Sequence, residues 1–400
     1  MKGVSAASQR LTSIDALRGA VMVIMALDHT RDFVHAGAMA FSPEDLTRTT
    51  PVLFFTRWIT HVCAPVFLFT AGLGAYQRLQ RPGSTKGQLS RFLWTRGLWL
   101  IVIELTVMRL AMNFTLDSRF PVLLLVLWAL GVSMIALAAL IHLPHRLLAV
   151  ASVGVIALHN GLDGVQAAQF GAFAGVWNAL HQPGVFFLFG VPFVVGYPVL
   201  PWIAVMAAGF SAGPLFLRAA QARQRTLVRW GVVMIVAFVV LRAAHFYGDP
   251  VPWASQASPV MTAISFLRTT KYPPSLDFLL MTLGPALLAL AFLDRRSLSA
   301  SHPLVIVGRV PFFFYVTHFW MLHMLASLLA WLRYGNASLA FLFSPLPSMG
   351  GERSLFPADF GYPLWVTYVV WVSVVAGLYP LCQWFAGVKA RRRDWWLSYL

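Results

Sequence analysis

Charge is what this chain has least of. Only 11% of its 400 residues are Asp, Glu, Lys or Arg, against roughly 25% in an ordinary soluble chain, so water is not its main solvent. Cysteine is almost missing. The two present are Cys63 and Cys382, which fall near the outer end of the second apolar run and the inner end of the last, an unfavourable geometry for a disulfide. No Cys/His spacing fits a metal site. Also absent are a linker long enough to separate soluble domains and a visible repeat of helix pairs, so a single membrane domain spanning 1–400 is expected.

What fills the chain instead is apolar: 58% of residues are hydrophobic. They fall in runs of about twenty, the length that crosses a hydrocarbon core. The runs predict an all-α polytopic bundle of about ten transmembrane helices at 12–33, 57–77, 91–112, 121–141, 146–162, 197–217, 229–247, 275–293, 303–332 and 362–386. The longest outer connections, 163–196, 248–274 and 333–361, are rich in Gly, Pro and aromatic residues. Such loops either cap a site or lie in the interface as aromatic belts, and the exposed outer aromatics would permit a homodimer.

The net charge of +16 is mostly an orientation signal. One set of connections holds Arg78, Arg81, Lys86, Arg91 and Arg96, then Arg146, then Arg218, Arg223, Arg225 and Arg229, then Arg295 and Arg296, and the tail adds Lys389 and Arg391 to Arg393. The opposite set has fewer cations in acidic company, such as Arg48 near Glu44 and Arg353 beside Glu352. The positive-inside bias predicts both termini in the cytoplasm and membrane lipid, not nucleic acid, as the partner of the basic loops. A cleaved N-terminal signal with Ala38-Met39-Ala40 as its site is not expected, because Asp28, His29, Arg31 and Asp32 precede the triplet.

Those four residues make the first span unusual. Its uninterrupted apolar stretch, Ala20 to Leu27, is too short to cross, so the helix must bury Arg18 at one end and Asp28, His29 and Asp32 at the other. Lipid cannot surround it. Arg18 and His29 share a face with Asp15, about 16 Å apart along the axis. Asp32 follows His29 at i+3, where a carboxylate can hold one imidazole nitrogen and leave the other as a base. The plain alternative is an ion-paired packing seam. His61, Arg109, His159, Arg242, His245 and Asp277 lie in the outer halves of their expected spans, near the level of His29, which predicts a polar cavity opening outward. Arg57, His61 and Pro65 sit on the helix expected beside the first span. His318 is a second-rank candidate, since His323 five residues on does not share its face.

The stretch Arg10-Leu-Thr-Ser-Ile-Asp15-Ala-Leu-Arg18-Gly19, followed by an apolar run ending in Asp28-His29, resembles the first span of transmembrane acyltransferases, and the Arg18 to His29 spacing is that of the acyltransferase type 3 family. Ala26-Leu-Asp28-His29-Thr-Arg31-Asp32-Phe33, Thr60-His61-Val-Cys63-Ala-Pro65-Val-Phe-Leu-Phe-Thr-Ala-Gly72, Tyr272-Pro273-Pro274-Ser275 and Arg393-Asp394-Trp395-Trp396 look like bacterial relatives of heparan-alpha-glucosaminide N-acetyltransferase, most strongly over 10–76 and 361–400. The resemblance implies transfer of an acyl group, preferably acetyl, from acyl-CoA to an amine or hydroxyl of a sugar or envelope glycan, in a bacterial cytoplasmic membrane. It also implies a functional histidine in the loop after the first span, for which His35 is the nearest candidate.

Acyl transfer from a thioester needs a base near the acceptor, a site for the anionic cofactor and exclusion of bulk water. Arg18, Arg91 and Arg96 near the inner surface are expected to hold the phosphates of acyl-CoA. His29, with Asp32 and His61, is expected to do the chemistry, and Asp28, Arg57, Tyr272, Asp277 and His318 to surround it. The competing class is a secondary transporter or proton-coupled permease, because intramembrane Asp, His and Arg also mark ion pathways; a third is a non-enzymatic assembly partner.

Overall fold

A computed structural model describes residues 11–117, 120–296, 298–392 and 394–399, so Arg10 and Arg393 of the sequence argument lie outside the described residues. Its α-helices run Thr12–Val34 (α1), Pro51–Trp58 (α2), Cys63–Leu79 (α3), Lys86–Ile103 (α4), Arg109–Asn113 (α5), Val126–Leu140 (α6), His145–Leu158 (α7), Ala174–Leu180 (α8), Leu200–Ser211 (α9), Ala220–Ala244 (α10), Pro259–Leu267 (α11), Leu276–Arg296 (α12), Pro303–Arg309 (α13), Pro311–Tyr334 (α14) and Leu364–Arg391 (α15). A 3₁₀ turn, Ile59–Val62, joins α2 to α3, and a π-helical turn, Glu104–Met108, joins α4 to α5.

Helix falls on every one of the expected segments. Among the described residues seven helices are long and apolar enough to cross a membrane: Pro51–Leu79, His145–Leu162, Leu200–Leu217, Ala220–Ala244, Leu276–Arg296, Pro311–Ala340 and Leu364–Arg391. The chain is thus an all-α polytopic membrane bundle. α6 is apolar but shorter, and α1 carries its five charged side chains within its own length.

The ends of these helices are written locally. Thr50 caps α2, its hydroxyl accepting from Leu53 N at 3.3 Å with Pro51 in the first turn, and Thr85 and Gln88 form a reciprocal capping box on α4. Pro311 splits α13 from α14 after Val310, while Pro285 and Pro380 are accommodated inside α12 and α15.

Small residues decide which helices meet. The four most extensive pairings are α10 with α12, α4 with α6, α3 with α9 and α1 with α13, and each crosses at a glycine on both partners. A Cβ on Gly72 would sit 1.9 Å from the Met206 carbonyl oxygen, and one on Gly209 2.0 Å from that of Phe69. Gly19 and Gly308 oppose the Leu304 and Asp15 carbonyls at 1.9 and 1.7 Å; Gly97 faces Gly131 and Gly231 faces Gly284. In lipid, where apolar burial does not drive helices together, such close backbone approach supplies the packing.

The charged α1 is the hub, packed by α3, α12, α13, α14 and α15. Helices α7, α10 and α15 lie outside and turn Val150 and Val153, Val232 and Val236, and Trp365 and Val369 outward. The Arg-rich connections gather at one end: Ser13 and Arg223 both bind Asp294, at 3.1 and 2.9 Å, and Arg96 donates to the Ser398 carbonyl. At the other end Val34 and Ala36 bond the backbone of Tyr362, and Asn160 accepts from Leu276 N.

That end also holds a small sheet, whose first strand takes the start of the segment 121–141 expected to be helical throughout. β1 (Val122–Leu124) pairs in parallel with β3 (Val191–Val195), which pairs antiparallel with β2 (Gly184–Leu188), in the order β1-β3-β2. The hairpin turn puts Phe189 and Gly190 at φ 51° and 78°, the pair of positive values that a tight two-residue hairpin requires.

Candidate active site

A cavity of about 870 Å³ opens beside the C-terminal half of α1, a volume typical of small-molecule sites. Asp28, His29, Arg31 and Asp32 of α1 line it, with Glu44 from the loop before α2, Arg57 and Cys63 of the α2–α3 rod, Tyr197, Lys271 and Tyr272 from two later loops, and Tyr315 and Phe319 of α14. Of the sequence candidates, five therefore share one chamber: His29, Asp32, Asp28, Arg57 and Tyr272.

Most of the charge on this wall is paired. Arg31 donates to Asp28 at 3.2 Å and to Asp32 at 2.6 Å, and Arg57 donates to the other Asp28 oxygen. Glu44 accepts from His61 Nε2 at 2.9 Å and lies 3.8 Å from the Arg57 guanidinium. Burial alone would raise the Glu44 carboxyl, but the His61 hydrogen bond and the Arg57 charge override it and push it down to about 2. His61 is 1% exposed and does not line the cavity; its contact is with Glu44.

His29 is held from α14. Its Nδ1 lies 2.7 Å from His318 Nε2, and His318 Nδ1 lies 3.1 Å from the Phe314 carbonyl. A carbonyl can only accept, so His318 Nδ1 carries the proton and its Nε2, in the neutral ring, offers a lone pair. His29 Nδ1 must then be the donor, which leaves its Nε2 unprotonated in the neutral imidazole. The rings of Tyr315 and Phe319, with centroids 6.2 and 4.3 Å from that of His29, fix its plane. Asp32, the partner expected from the i+3 spacing, spends its carboxylate on Arg31 and makes no hydrogen bond to His29.

The remaining candidates lie away from the cavity. Asp277 is 1% exposed beside Gly248, with Oδ1 unpartnered among the described residues. Arg18 donates to the Thr70 carbonyl and stands 3.9 Å from Asp15; Arg96 shares the Phe92 ring with Arg78; Arg91 is exposed. His35 is 8% exposed at the end of α1, where burial lowers it to about 4, and it does not line the cavity. Glu44, Lys271, Tyr197, Tyr315 and Phe319 were not singled out by the sequence reading. Only Lys271 had a pointer, its place next to Tyr272-Pro273-Pro274.

A family model described as heparan-alpha-glucosaminide N-acetyltransferase, catalytic, matches residues 10–248. The chain belongs to that family. No curated protein matches it. In this heparan-alpha-glucosaminide N-acetyltransferase family member the match takes in α1 to α10, and with them Arg18, Asp28, His29, Asp32, Glu44, Arg57 and His61. The other side of the cavity, with Lys271, Tyr272, Tyr315 and the histidine that holds His29, comes from beyond the matched residues. Among the described residues no cluster of three His, Cys, Asp or Glu side chains could hold a metal ion.

Proposed function

We propose that this member of a transmembrane acetyltransferase family takes an acyl group, in the first instance acetyl, from cytosolic acyl-CoA. It passes the group to an amine or hydroxyl of a sugar or envelope glycan that enters the cavity from the outer face of a bacterial cytoplasmic membrane. The observation that carries the reading is the His29–His318 pair behind the cavity wall: it leaves Nε2 of the cavity-lining His29 as a free proton acceptor.

In this reading the acceptor N–H or O–H loses its proton to His29 Nε2 as it attacks the thioester carbonyl. The carbonyl π pair moves to oxygen, returns as the carbon–sulfur bond breaks, and the thiolate leaves with the proton from His29. His318 holds His29 in the required tautomer. Asp28, Arg31, Arg57, Asp32, Glu44 and His61 keep the wall in place as a paired network. Arg18, Arg91 and Arg96 are the candidates for the phosphates of acyl-CoA; the acetyl-CoA donor itself is what the family membership suggests.

The test is purified protein in detergent with labelled acetyl-CoA and an amino-sugar acceptor. Turnover is expected from the native chain and none from His29→Ala, with equal folded yield. Wild-type turnover in His29→Ala would remove His29 from the chemistry. Uptake of a solute into proteoliposomes without CoA, and no transfer, would favour the permease instead.

A further inference from the structure

One cation on the cavity wall has no partner in direct contact. Arg31 and Arg57 are in contact with Asp28, Asp32 and Glu44, and His61 with Glu44. Lys271 is different. It is 7% exposed and lines the cavity, yet among the described residues its ammonium makes neither an ion pair nor a hydrogen bond; what it approaches is the ring of Tyr272, 5.2 Å from Nζ to the centroid. The wall's three carboxylates balance Arg31, Arg57 and Lys271 at a distance, but a buried ammonium without a hydrogen-bond acceptor still costs free energy that a ligand in the cavity can recover. The neighbouring phenol feels the same field. Burial would raise Tyr272, but Lys271 and Arg57 together carry it below the ordinary tyrosine value.

Resting on the acyl-transfer reading above, we propose that Lys271 binds an anionic oxygen of the substrate pair. Asp28, Asp32 and Glu44 are held by Arg31, Arg57 and His61 and none of them contacts the ammonium, so the acceptor it lacks is one that a substrate in the cavity can bring. Two sources share this chemistry. One is a fixed negative group on the acceptor. The other is the thioester carbonyl oxygen, which takes the π pair when the acceptor attacks and gives it back when the thiolate leaves carrying the proton that His29 Nε2 accepted.

Lys271→Met, which removes the charge and keeps the length, and Lys271→Arg, which keeps the charge, decide the matter in the purified full-length chain. The probes are glucosamine and muramic acid, which differ by a lactyl ether that carries a carboxylate, each measured for equilibrium binding and for transfer from labelled acetyl-CoA. If the anion belongs to the acceptor, Lys271→Met weakens muramic acid about tenfold or more and leaves glucosamine alone. If it develops on the thioester, binding of both is unchanged while kcat falls about 10²-fold for both. In either case Lys271→Arg recovers much of the loss. Wild-type binding and kcat in Lys271→Met for both sugars overturn the proposal. Should the native chain show no transfer, the acyl-transfer reading falls, and the binding arm still judges Lys271: no preference for muramic acid that Lys271→Met removes counts against it.

Discussion

His29 and His318 are 289 positions apart, and their contact gives the site its chemical direction. Two neutral imidazoles in a row, the second tied to a main-chain carbonyl, permit one arrangement of protons, and that arrangement leaves the cavity nitrogen basic. A carboxylate partner would also fix the tautomer but would add a full negative charge; here that charge is kept on Arg31 and Arg57 instead. In the proposed reaction His318 is a positioning residue, and its replacement should act on kcat more than on binding. For His318→Ala a 10- to 100-fold loss of kcat is expected with little change in the KM for acetyl-CoA, and His318→Gln, whose amide oxygen can accept from His29 Nδ1, should recover some of it. Equal activity of the Ala and Gln variants, with only a lower melting temperature, would reduce His318 to packing. Glu44 makes a prediction of the opposite kind, in stability. Its carboxyl is held at about 2 in the folded protein against an ordinary 4.5, so its contribution is complete above about pH 4.5 and drains away as the pH falls toward 2. The melting temperatures of the native chain and Glu44→Gln in detergent should differ most near neutrality and converge in acid. A gap that widens in acid contradicts the assignment.

At the scale of elements, the helices were legible because a membrane span announces itself by length and apolarity, and helix falls on every expected segment, although 121–141 opens with β1. The central place of α1 was legible too, from charges lipid would not accept. What could not be read was which distant element completes a contact: Thr-His in α14 carries no mark that it faces α1, and Glu44 lies in a loop with no spacing rule. The sheet was hidden for another reason. No Asp, Glu, Lys or Arg occurs from Gly164 to Leu217, so the alternation that marks a strand has no polar half. The glycine crossings can be tested directly. Gly72→Ala would put a methyl 1.9 Å from a backbone oxygen, which α3 and α9 can relieve only by separating, and a loss of roughly 1–3 kcal/mol or of folded yield is expected. Gly154→Ala in α7, where nothing lies within 4 Å, should be neutral or stabilising by up to about 1 kcal/mol. Thermal unfolding of the two variants side by side checks both signs; equal behaviour would mean that the close crossings do not hold the bundle.

For the molecule as a whole, the function depends on which solvent meets each end of α1. Arg18 and His29 are separated by about 16 Å along the helix. Arg18 stands toward the end where Arg223, Arg96 and the Ser398 carbonyl gather, and His29 toward the end of the cavity and Tyr362. If the cation-rich end is cytosolic, donor and acceptor approach from opposite faces and the acyl group crosses between them; if it is not, both must use one mouth. Labelling with a membrane-impermeant maleimide in intact cells separates the cases. Cys63 lines the cavity and Cys382 is buried, so both are first replaced by Ala, and single cysteines are set at exposed Pro82 and Ser255, which flank α4 at the basic end and α11 at the other. Ser255→Cys should label in intact cells and Pro82→Cys only after lysis. The reverse pattern would turn the cavity toward the cytosol, where acyl-CoA and acceptor would meet at the same opening, and would take from Arg18 and Arg96 any reason to hold the donor's phosphates.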